Sequence, residues 1–228
     1  MLNALAGTRF RHVEVHSSMD STQDPLVTEG GRDGRVIVAD HQTAGRGRAG
    51  RTWLDVPGAM LMFSALLRDV PPDKAGLVSL QAGLAVARAV GDDARLKWPN
   101  DVRLDGRKVC GILGELSSGY VVVGIGVNVG HAEGELPAEL EATSIRIATG
   151  ATPRRDDLCA AILRELDAVL GHDGWLEEYR SRCETIGSRV RVELTDGSYE
   201  GTAEQVRDDG ALVVDGRAVV AGDVVHVR

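Results

Sequence analysis

Residues 40–53 read DHQTAGRGRAGRTW, a glycine-rich loop that carries three arginines. Its glycines fit the pattern G-x-G-x-x-G, which marks a dinucleotide-binding site only where a helix opens directly after them. Here an apolar run at 35–39 leads into the loop, and a second apolar run at 60–67 follows it. The sequence therefore predicts a strand, a long loop and another strand, which excludes a Rossmann-type site.

The three arginines of this loop, Arg46, Arg48 and Arg51, favour an anion-binding site. Glycines let the backbone come close to a ligand, and a guanidinium group matches two phosphate or carboxylate oxygens at once. The alternative is a mobile, solvated basic loop, as in most Gly/Arg stretches. Tight spacing beside Trp53 in an acidic chain favours the anion clamp. Without a ligand we expect the arginines to repel one another and leave the loop open.

The whole chain is acidic and has the composition of a soluble globular protein. It has 228 residues, of which 43% are apolar and 26% charged, and a net charge of −8. This charge argues against a broad nucleic-acid footprint, so an anion site must be local. Three scattered cysteines form neither a disulfide framework nor a metal-ligand pattern, which suits a reducing cytoplasm. No signal peptide and no run of transmembrane length is visible, so we expect a cytoplasmic protein without membrane contact.

Apolar periodicity and turn signals divide the chain into an α+β part, residues 1–183, and a small β module, residues 184–228. Strands are predicted at 10–16, 35–39, 60–67, 95–101, 102–104, 108–116 and 120–129. Helices are predicted from a polar turn at 17–23 to about residue 29, and at 73–91, 156–170 and 175–183. From residue 187, short strands alternate with Asp-Gly turns at 196–197, 209–210 and 215–216, which is typical of a small barrel-like module.

The strand at 120–129 is apolar on both faces, which predicts a central position in the sheet. Gly124 and Gly126 remove side chains from it, as expected where a ligand or another backbone approaches closely. Asn128 is its one polar side chain after Tyr120, and a buried amide needs hydrogen-bond partners that a ligand can supply.

Polar residues also end two neighbouring strands. Pro99 stops one strand in a turn that presents Asn100 and Asp101, and a carboxylate there could hold Mg²⁺ through water. Asn-Asp pairs are more often simple turn residues. Lys108 begins the second strand of the following hairpin, a position where lysine is usually a solvated edge charge.

Four blocks of the sequence, residues 42–53, 97–101, 108–113 and 124–128, resemble those of biotin protein ligases in order and spacing. The GRGR-x-GR block is highly specific, and the resemblance covers the chain from about residue 10. It implies an α+β fold: a mixed sheet with helices on one face, as in class II synthetases and lipoate ligases, followed by an SH3-like β-barrel.

The resemblance implies that biotin and ATP, with Mg²⁺, form biotinyl-5′-adenylate, and that a carrier lysine then accepts the biotinyl group. The acceptor would lie on the biotin carboxyl carrier domain of a biotin-dependent carboxylase. The residues implied in biotin binding are Ser21, Thr22, Gln23 and Gln42 for the ureido ring, and Arg46, Gly47, Arg48 and Lys108 for the carboxylate and phosphate. Those implied in nucleotide binding are Arg48, Arg51, Trp53, which would pack on the adenine, Asn100 and Asn128. Arg48, Lys108 and Asp101 are the implied catalytic residues, and Asp101 the implied Mg²⁺ ligand.

The sequence departs from the family pattern at three places. Position 23 is Gln instead of the usual Asn, Asn128 is followed by Val129 and not by a second Asn, and no helix-turn-helix precedes the first strand. We therefore expect a monofunctional ligase that does not bind DNA. Two alternatives are a lipoate or octanoate ligase on the same fold and a biotin-responsive regulator. The carrier and the oligomeric state stay open; an exposed sheet edge is a candidate for pairing protomers.

Overall fold

The computed structural model describes residues 2–53, 55–194, 197–220 and 222–227. The strands of its larger sheet are β1 (His12–His16), β2 (Arg35–Ala39), β3 (Met60–Arg68), β4 (Arg95–Lys97), β5 (Asp101–Leu104), β6 (Arg107–Ser117) and β7 (Tyr120–Asn128). They lie in the order β1-β2-β3-β7-β6-β5-β4. The β1/β2 pair is parallel and the other neighbouring pairs are antiparallel. This confirms the predicted mixed sheet and the central position of β7.

The helices are α1 (Asp24–Glu29), α2 (Ala75–Val90), α3 (Ile145–Thr149), α4 (Arg155–Leu170) and α5 (Trp175–Arg182). The two long ones, α2 and α4, pack against each other, and α2 covers β6 and β7. In α4 the residues buried at helical spacing are Leu158, Ile162, Leu166 and Val169. Because alternate strand residues share a face, Phe63 and Ile125 join the core under these helices. The predicted layer of helices on one face is confirmed for the two long helices, α2 and α4.

The opposite face of the sheet carries the short helix α1, whose Leu26 packs in a small separate cluster with Leu66 and Val122. The helix begins only at Asp24, and the residue before it, Gln23, makes no side-chain cap bond. The helix thus follows the polar turn at 17–23 and ends at Glu29, as predicted, but without a side-chain cap at Gln23. Helix α3 was not predicted, because its five residues are too few to show a helical period.

The C-terminal part is a five-stranded antiparallel sheet in the order β11-β10-β9-β8-β12. Its strands are β8 (Arg189–Leu194), β9 (Gly197–Val206), β10 (Leu212–Val214), β11 (Arg217–Val219) and β12 (Asp223–His226). The predicted small β module is confirmed, while the predicted turn residue 196 lies outside the described residues. Trp98 ties the two parts together: its backbone N–H donates to Thr185 Oγ1 at 3.0 Å, and its indole N–H donates to the Gly210 carbonyl at 2.9 Å.

Membrane-spanning helices are not found among the described residues, since none is both long and apolar enough.

The turn before β2 depends on Gly34, and the Gly34→Ala variant is expected to have a lower free energy of unfolding. Gly34 has a φ of +73°, and a Cβ built on it would lie 2.1 Å from the Arg9 carbonyl oxygen. Its N–H also donates to the Leu66 carbonyl at 2.9 Å, so the turn cannot move away freely. We expect a loss of about 3 kcal/mol or more in the free energy of unfolding, measured by urea denaturation.

Gly58→Ala is the matched control, because Gly58 has a φ of +82° and nothing within 4 Å of the added methyl group. This variant should lose only the cost of the left-handed backbone, about 1 kcal/mol. Equal losses for the two variants would show that the contact with Arg9 is relieved by a local shift.

Candidate active site

A cavity of about 450 Å³ opens on the sheet face opposite α2. Residues from every block that resembles the ligase family line it, together with Ser21, Thr22 and Gln23 from the turn before α1. The predicted site residues that line it are Ser21, Thr22, Gln23, Gln42, Arg46, Gly47, Arg48, Arg51, Trp53, Asn100, Asp101, Lys108 and Asn128. The fold thus brings all of them to one place.

A single row of residues crosses the cavity floor from strand to strand. Met62 pairs with Gly126, Gly126 with Gly111, Gly111 with Asp101, and Asp101 with Lys97. Residues in register on neighbouring strands share a face of the sheet, so all five point to the cavity side. Across five strands, the floor therefore changes from an apolar side chain to bare backbone and then to charged side chains.

The two glycines of this row lie under the indole of Trp53. A Cβ built on Gly126 would lie 2.6 Å from Trp53 Cζ2, and one on Gly111 would lie 2.6 Å from Trp53 Cζ3. The indole nitrogen is buried without a hydrogen-bond partner among the described residues. The sequence suggested that a ligand or another backbone approaches Gly126; in the structure a tryptophan side chain does so.

The uncharged polar end of the cavity is a buried hydrogen-bonded group. The backbone N–H of Thr22 donates to Gln42 Oε1 at 2.7 Å, and the hydroxyls of Thr22 and Ser64 lie 2.7 Å apart. Ser64 was not predicted, although a lone serine in the apolar strand β3 was a usable signal. This group offers fixed donors and acceptors to a polar ligand head.

Gln23, which replaces the usual Asn, extends across the sheet at this end. Its Nε2 lies 3.4 Å from both the Leu113 carbonyl oxygen and Glu115 Oε2. Its Oε1 would lie 2.3 Å from a Cβ on Gly124, so it occupies the space that this glycine leaves open. The longer side chain therefore contacts β6 directly.

Gln42 is held in place by Asp55, a buried carboxylate that was not predicted. Asp55 Oδ2 accepts from the Gln42 backbone N–H at 2.7 Å and lies 2.6 Å from His41 Nδ1. Gln42 Nε2 in turn contacts Met62 Sδ at 3.2 Å. These contacts leave Gln42 little rotational freedom.

Arg46, the first arginine of the glycine-rich loop, forms its ion pairs with carboxylates that lie away from the charged end of the floor. Arg46 Nη2 lies 2.9 Å from Asp24 Oδ1 and 3.1 Å from Glu115 Oε2. Glu115 also contacts Gln23, so the loop and the uncharged polar end share one carboxylate.

The other two arginines reach the C-terminal β module. Arg48 donates to Asn100 Oδ1 and to the Gly222 carbonyl, both at 3.0 Å. Arg51 Nη2 lies 2.9 Å from Asp223 Oδ2. The expectation that the three arginines repel one another without a ligand was wrong, because each has partners elsewhere in the chain. Sequence spacing could not reveal partners that lie so far along the chain.

Lys108 is not a solvated edge charge; it points into the cavity. Its Nζ lies 2.6 Å from Asp101 Oδ1 and 5.6 Å from the centre of the Trp53 ring. Its side chain is 30% exposed. A lysine ammonium group on a flexible stem beside an open cavity can meet an incoming anion.

The two asparagines already have protein partners. Asn100 Nδ2 donates to the Ile112 carbonyl at 3.0 Å, and its Oδ1 accepts from Arg48. Asn128 Nδ2 donates to the Thr143 carbonyl at 2.9 Å. A ligand is therefore not needed to satisfy the Asn128 amide nitrogen.

Nucleophilic cysteine chemistry does not fit this site. Cys110 lies on the core side of β6, and burial strongly raises the pKa of its thiol. The thiolate, which is the reactive form, is thus disfavoured.

Comparison with known proteins identifies the class. The sequence profile of the biotin/lipoate A/B protein ligase family matches residues 15–131, and that of the biotin protein ligase C-terminal domain matches residues 185–227. The chain belongs to the biotin/lipoate A/B protein ligase family.

Within this family, the chain is similar to biotin ligases. The chain is 41% identical to the biotin–[acetyl-CoA-carboxylase] ligase of Mycobacterium tuberculosis, over 98% of this chain and 92% of that protein. It is 32% identical to the bifunctional ligase/repressor BirA of Bacillus subtilis, over 92% of this chain and 70% of that protein. The biotin protein ligase from Aquifex aeolicus in complex with biotin and ATP superimposes with a TM-score of 0.82 at 30% identity, covering 96% of this chain and 100% of that chain. The predicted resemblance to biotin protein ligases is confirmed, and the lipoate alternative is not favoured.

Proposed function

We propose that this chain joins biotin to ATP as biotinyl-5′-adenylate and then transfers the biotinyl group to a lysine of a biotin carboxyl carrier domain. The observation that carries the proposal is the cavity itself, where a buried polar end and a cationic end meet over a floor without side chains at Gly111 and Gly126. The Aquifex relative in complex with biotin and ATP supports the same two substrates.

In this proposal, each end of the cavity binds a different part of the substrates. Ser21, Thr22, Gln23 and Gln42 would bind the ureido ring. Arg46, Gly47, Arg48 and Lys108 would hold the biotin carboxylate and the α-phosphate. Arg51, Trp53, Asn100 and Asn128 would bind the nucleotide, with Trp53 packed on the adenine.

In the adenylation step a carboxylate oxygen attacks the α-phosphorus, the new O–P bond forms, and pyrophosphate leaves with the electron pair of the broken bond. Two anions must therefore meet. Arg48 and Lys108 are two of the cations that line the cavity, and fixed positive charge that faces developing negative charge lowers the barrier.

In the transfer step the carrier lysine amine attacks the carbonyl carbon of the mixed anhydride, and AMP leaves. The amine must lose a proton, and Asp101, 2.6 Å from Lys108, is our candidate to accept it.

Asp101 is the proposed protein ligand of Mg²⁺. The described residues contain no group of three or more His, Cys, Asp or Glu side chains suited to a metal. Mg²⁺ bound with a nucleotide needs only one or two carboxylates, because water and phosphate oxygens fill its other positions. Asp101 at the charged end fits that requirement.

Biotin-dependent exchange of labelled pyrophosphate into ATP tests the proposed function, together with mass spectrometry of the retained adenylate. Exchange with biotin but not with lipoate or octanoate supports it, and exchange only with the latter acids would contradict it. A gel shift with and without biotin tests the expected lack of DNA binding, which rests on the net charge of −8.

Limited trypsin digestion should cut the glycine-rich loop first after Arg51, whose side chain is 62% exposed. Biotin with Mg-ATP should protect the loop, because the bound adenylate supplies negative charge to its arginines, and ATP alone should protect it much less. Cleavage sites and rates can be read by mass spectrometry. Arg154, 79% exposed at the start of α4, serves as an internal control that ligands should not protect. Unchanged cleavage after Arg51 with both substrates present would contradict ordering of the loop.

A further inference from the structure

Lys97 is a cation that lines the cavity but belongs to neither the glycine-rich loop nor the β5–β6 hairpin. It ends the floor row on β4, one strand beyond Asp101, and it lines the cavity. Its neighbour Leu96 is buried under α2, so the alternation of the strand puts Lys97 on the cavity side.

The Lys97 ammonium group has no ion pair with a carboxylate anywhere in the part of the chain that the structure describes. The two acidic residues near it have other partners: Asp101 lies 2.6 Å from Lys108, and Glu184 lies 2.7 Å from Arg103. By contrast, Arg46, Arg48 and Arg51 all have partners. The pKa of Lys97 is lowered by its burial, with Asp101 acting in the opposite direction. A partly buried charge without a counter-ion destabilises the ligand-free protein, and an anion bound beside it removes that cost.

The position of Lys97 along the row indicates which anion this is. Gly111, under the edge of the Trp53 indole, lies two strands away from Lys97, which corresponds to about 10 Å at the usual strand spacing. In the proposed function, Arg48 and Lys108 face the α-phosphate. An anion beyond Asp101 must therefore be a different group of the same ligand or of its leaving group.

We propose that Lys97 binds the β- and γ-phosphates of ATP and the pyrophosphate that leaves in the adenylation step. This inference rests on the proposed function. The inference assigns Lys97 to the first half-reaction alone, because biotinyl-adenylate no longer carries those phosphates. Lys97 then contributes to binding of ATP and of pyrophosphate, and it takes no part in transfer to the carrier lysine.

The experiment compares Lys97→Met, which keeps an unbranched apolar stem without the charge, with Lys97→Arg, which keeps the charge. Arg95→Met is the matched control, because Arg95 is exposed and lies on the same face of the same strand. Among the described residues, the hydrogen bonds of its guanidinium group go to the backbone carbonyls of Asp92 and Ala94. Biotin-dependent pyrophosphate exchange gives KM for ATP and for pyrophosphate. Single-turnover transfer from synthetic biotinyl-adenylate to a carboxyl carrier domain gives the rate of the second half-reaction.

We expect Lys97→Met to raise both KM values about tenfold, the effect of one weakened charge contact, and to leave the transfer rate within about twofold of the parent. Lys97→Arg should stay close to the parent protein, and Arg95→Met should match it. An equal fall in transfer would overturn the proposal, since Lys97 would then contact the adenylate, an acidic group of the carrier or a structural partner. Unchanged KM values would overturn it as well. If the parent protein itself lacks biotin-dependent exchange, the proposed function fails and not the placement of Lys97.

Discussion

Lys108→Ala is expected to slow biotin-dependent adenylation by about 10²-fold or more, the usual scale for a lost electrostatic contact to developing charge. The Lys108 ammonium group lies in the cavity, 2.6 Å from Asp101 and 5.6 Å from the Trp53 ring. Its removal takes away positive charge where carboxylate and α-phosphate are proposed to meet, and it leaves the Asp101 carboxylate facing them. Pyrophosphate exchange measures the rate. Because the Lys108 side chain is only 30% exposed and Asp101 loses its counter-ion, we also expect a modest fall in the unfolding temperature.

Two further variants define the cause. Lys74→Ala removes an exposed lysine outside the cavity and should leave exchange unchanged. Lys108→Ala combined with Asp101→Asn removes the uncompensated carboxylate, so a return to the parental rate would mean that repulsion by Asp101, and not loss of the cation, caused the defect. Normal exchange with a fall of several degrees in the unfolding temperature would make Lys108 a structural residue.

Gly126→Val is expected to lower kcat/KM for ATP by about 10²-fold, because displacement of a positioning group by about 1 Å can have an effect of that size. Even a Cβ on Gly126 would come within 2.6 Å of two indole carbons and 2.9 Å of the Trp53 nitrogen, so the indole must move away from the floor. Gly126→Ala should give a smaller loss in the same direction. Exchange kinetics at saturating biotin provide the measurement.

The double variant Gly126→Val with Trp53→Ala tests this cause directly. If the valine acts only by displacing the indole, the double variant should be no worse than Trp53→Ala alone, and the two effects should not add. Additive losses would mean that the valine blocks the nucleotide itself or disturbs β7.

The elements that could be predicted from the sequence are those with a local signal. Strand β7 is apolar on both faces and is central, and the repeat of Leu158, Ile162 and Leu166 gave α4 within one residue of its observed start. The boundary between the two parts of the chain at residue 183 stays a prediction. Helix α1 follows the polar turn as predicted, but the hydroxyls of Ser21 and Thr22, which resemble helix caps, face the cavity instead.

Site residues that share a sequence block were predicted. Site residues that are recognisable only by their contacts with distant parts of the chain were missed. Arg46, Arg48 and Lys108 were named from their blocks, and the structure places them in one cavity. Asp55 and Asp223 were missed, since an acidic residue in a loop or near the end of a chain carries no mark of its distant partner. Lys97 was passed over although it shares a block with Asn100. The alternation of β4, with Leu96 facing the core, was the signal that could have found it.

The location of the three tryptophans makes intrinsic fluorescence a reporter of ligand binding. Trp98 and Trp175 are 2% and 8% exposed and belong to the hydrophobic core. Trp53 alone rests against bare backbone at the cavity floor, with an indole nitrogen that lacks a partner among the described residues. Trp98 also lines the cavity and Trp175 does not, so changes in intrinsic emission on titration with substrates report on Trp53 and Trp98. Ligand entry can therefore be followed without a label and without altering the chain.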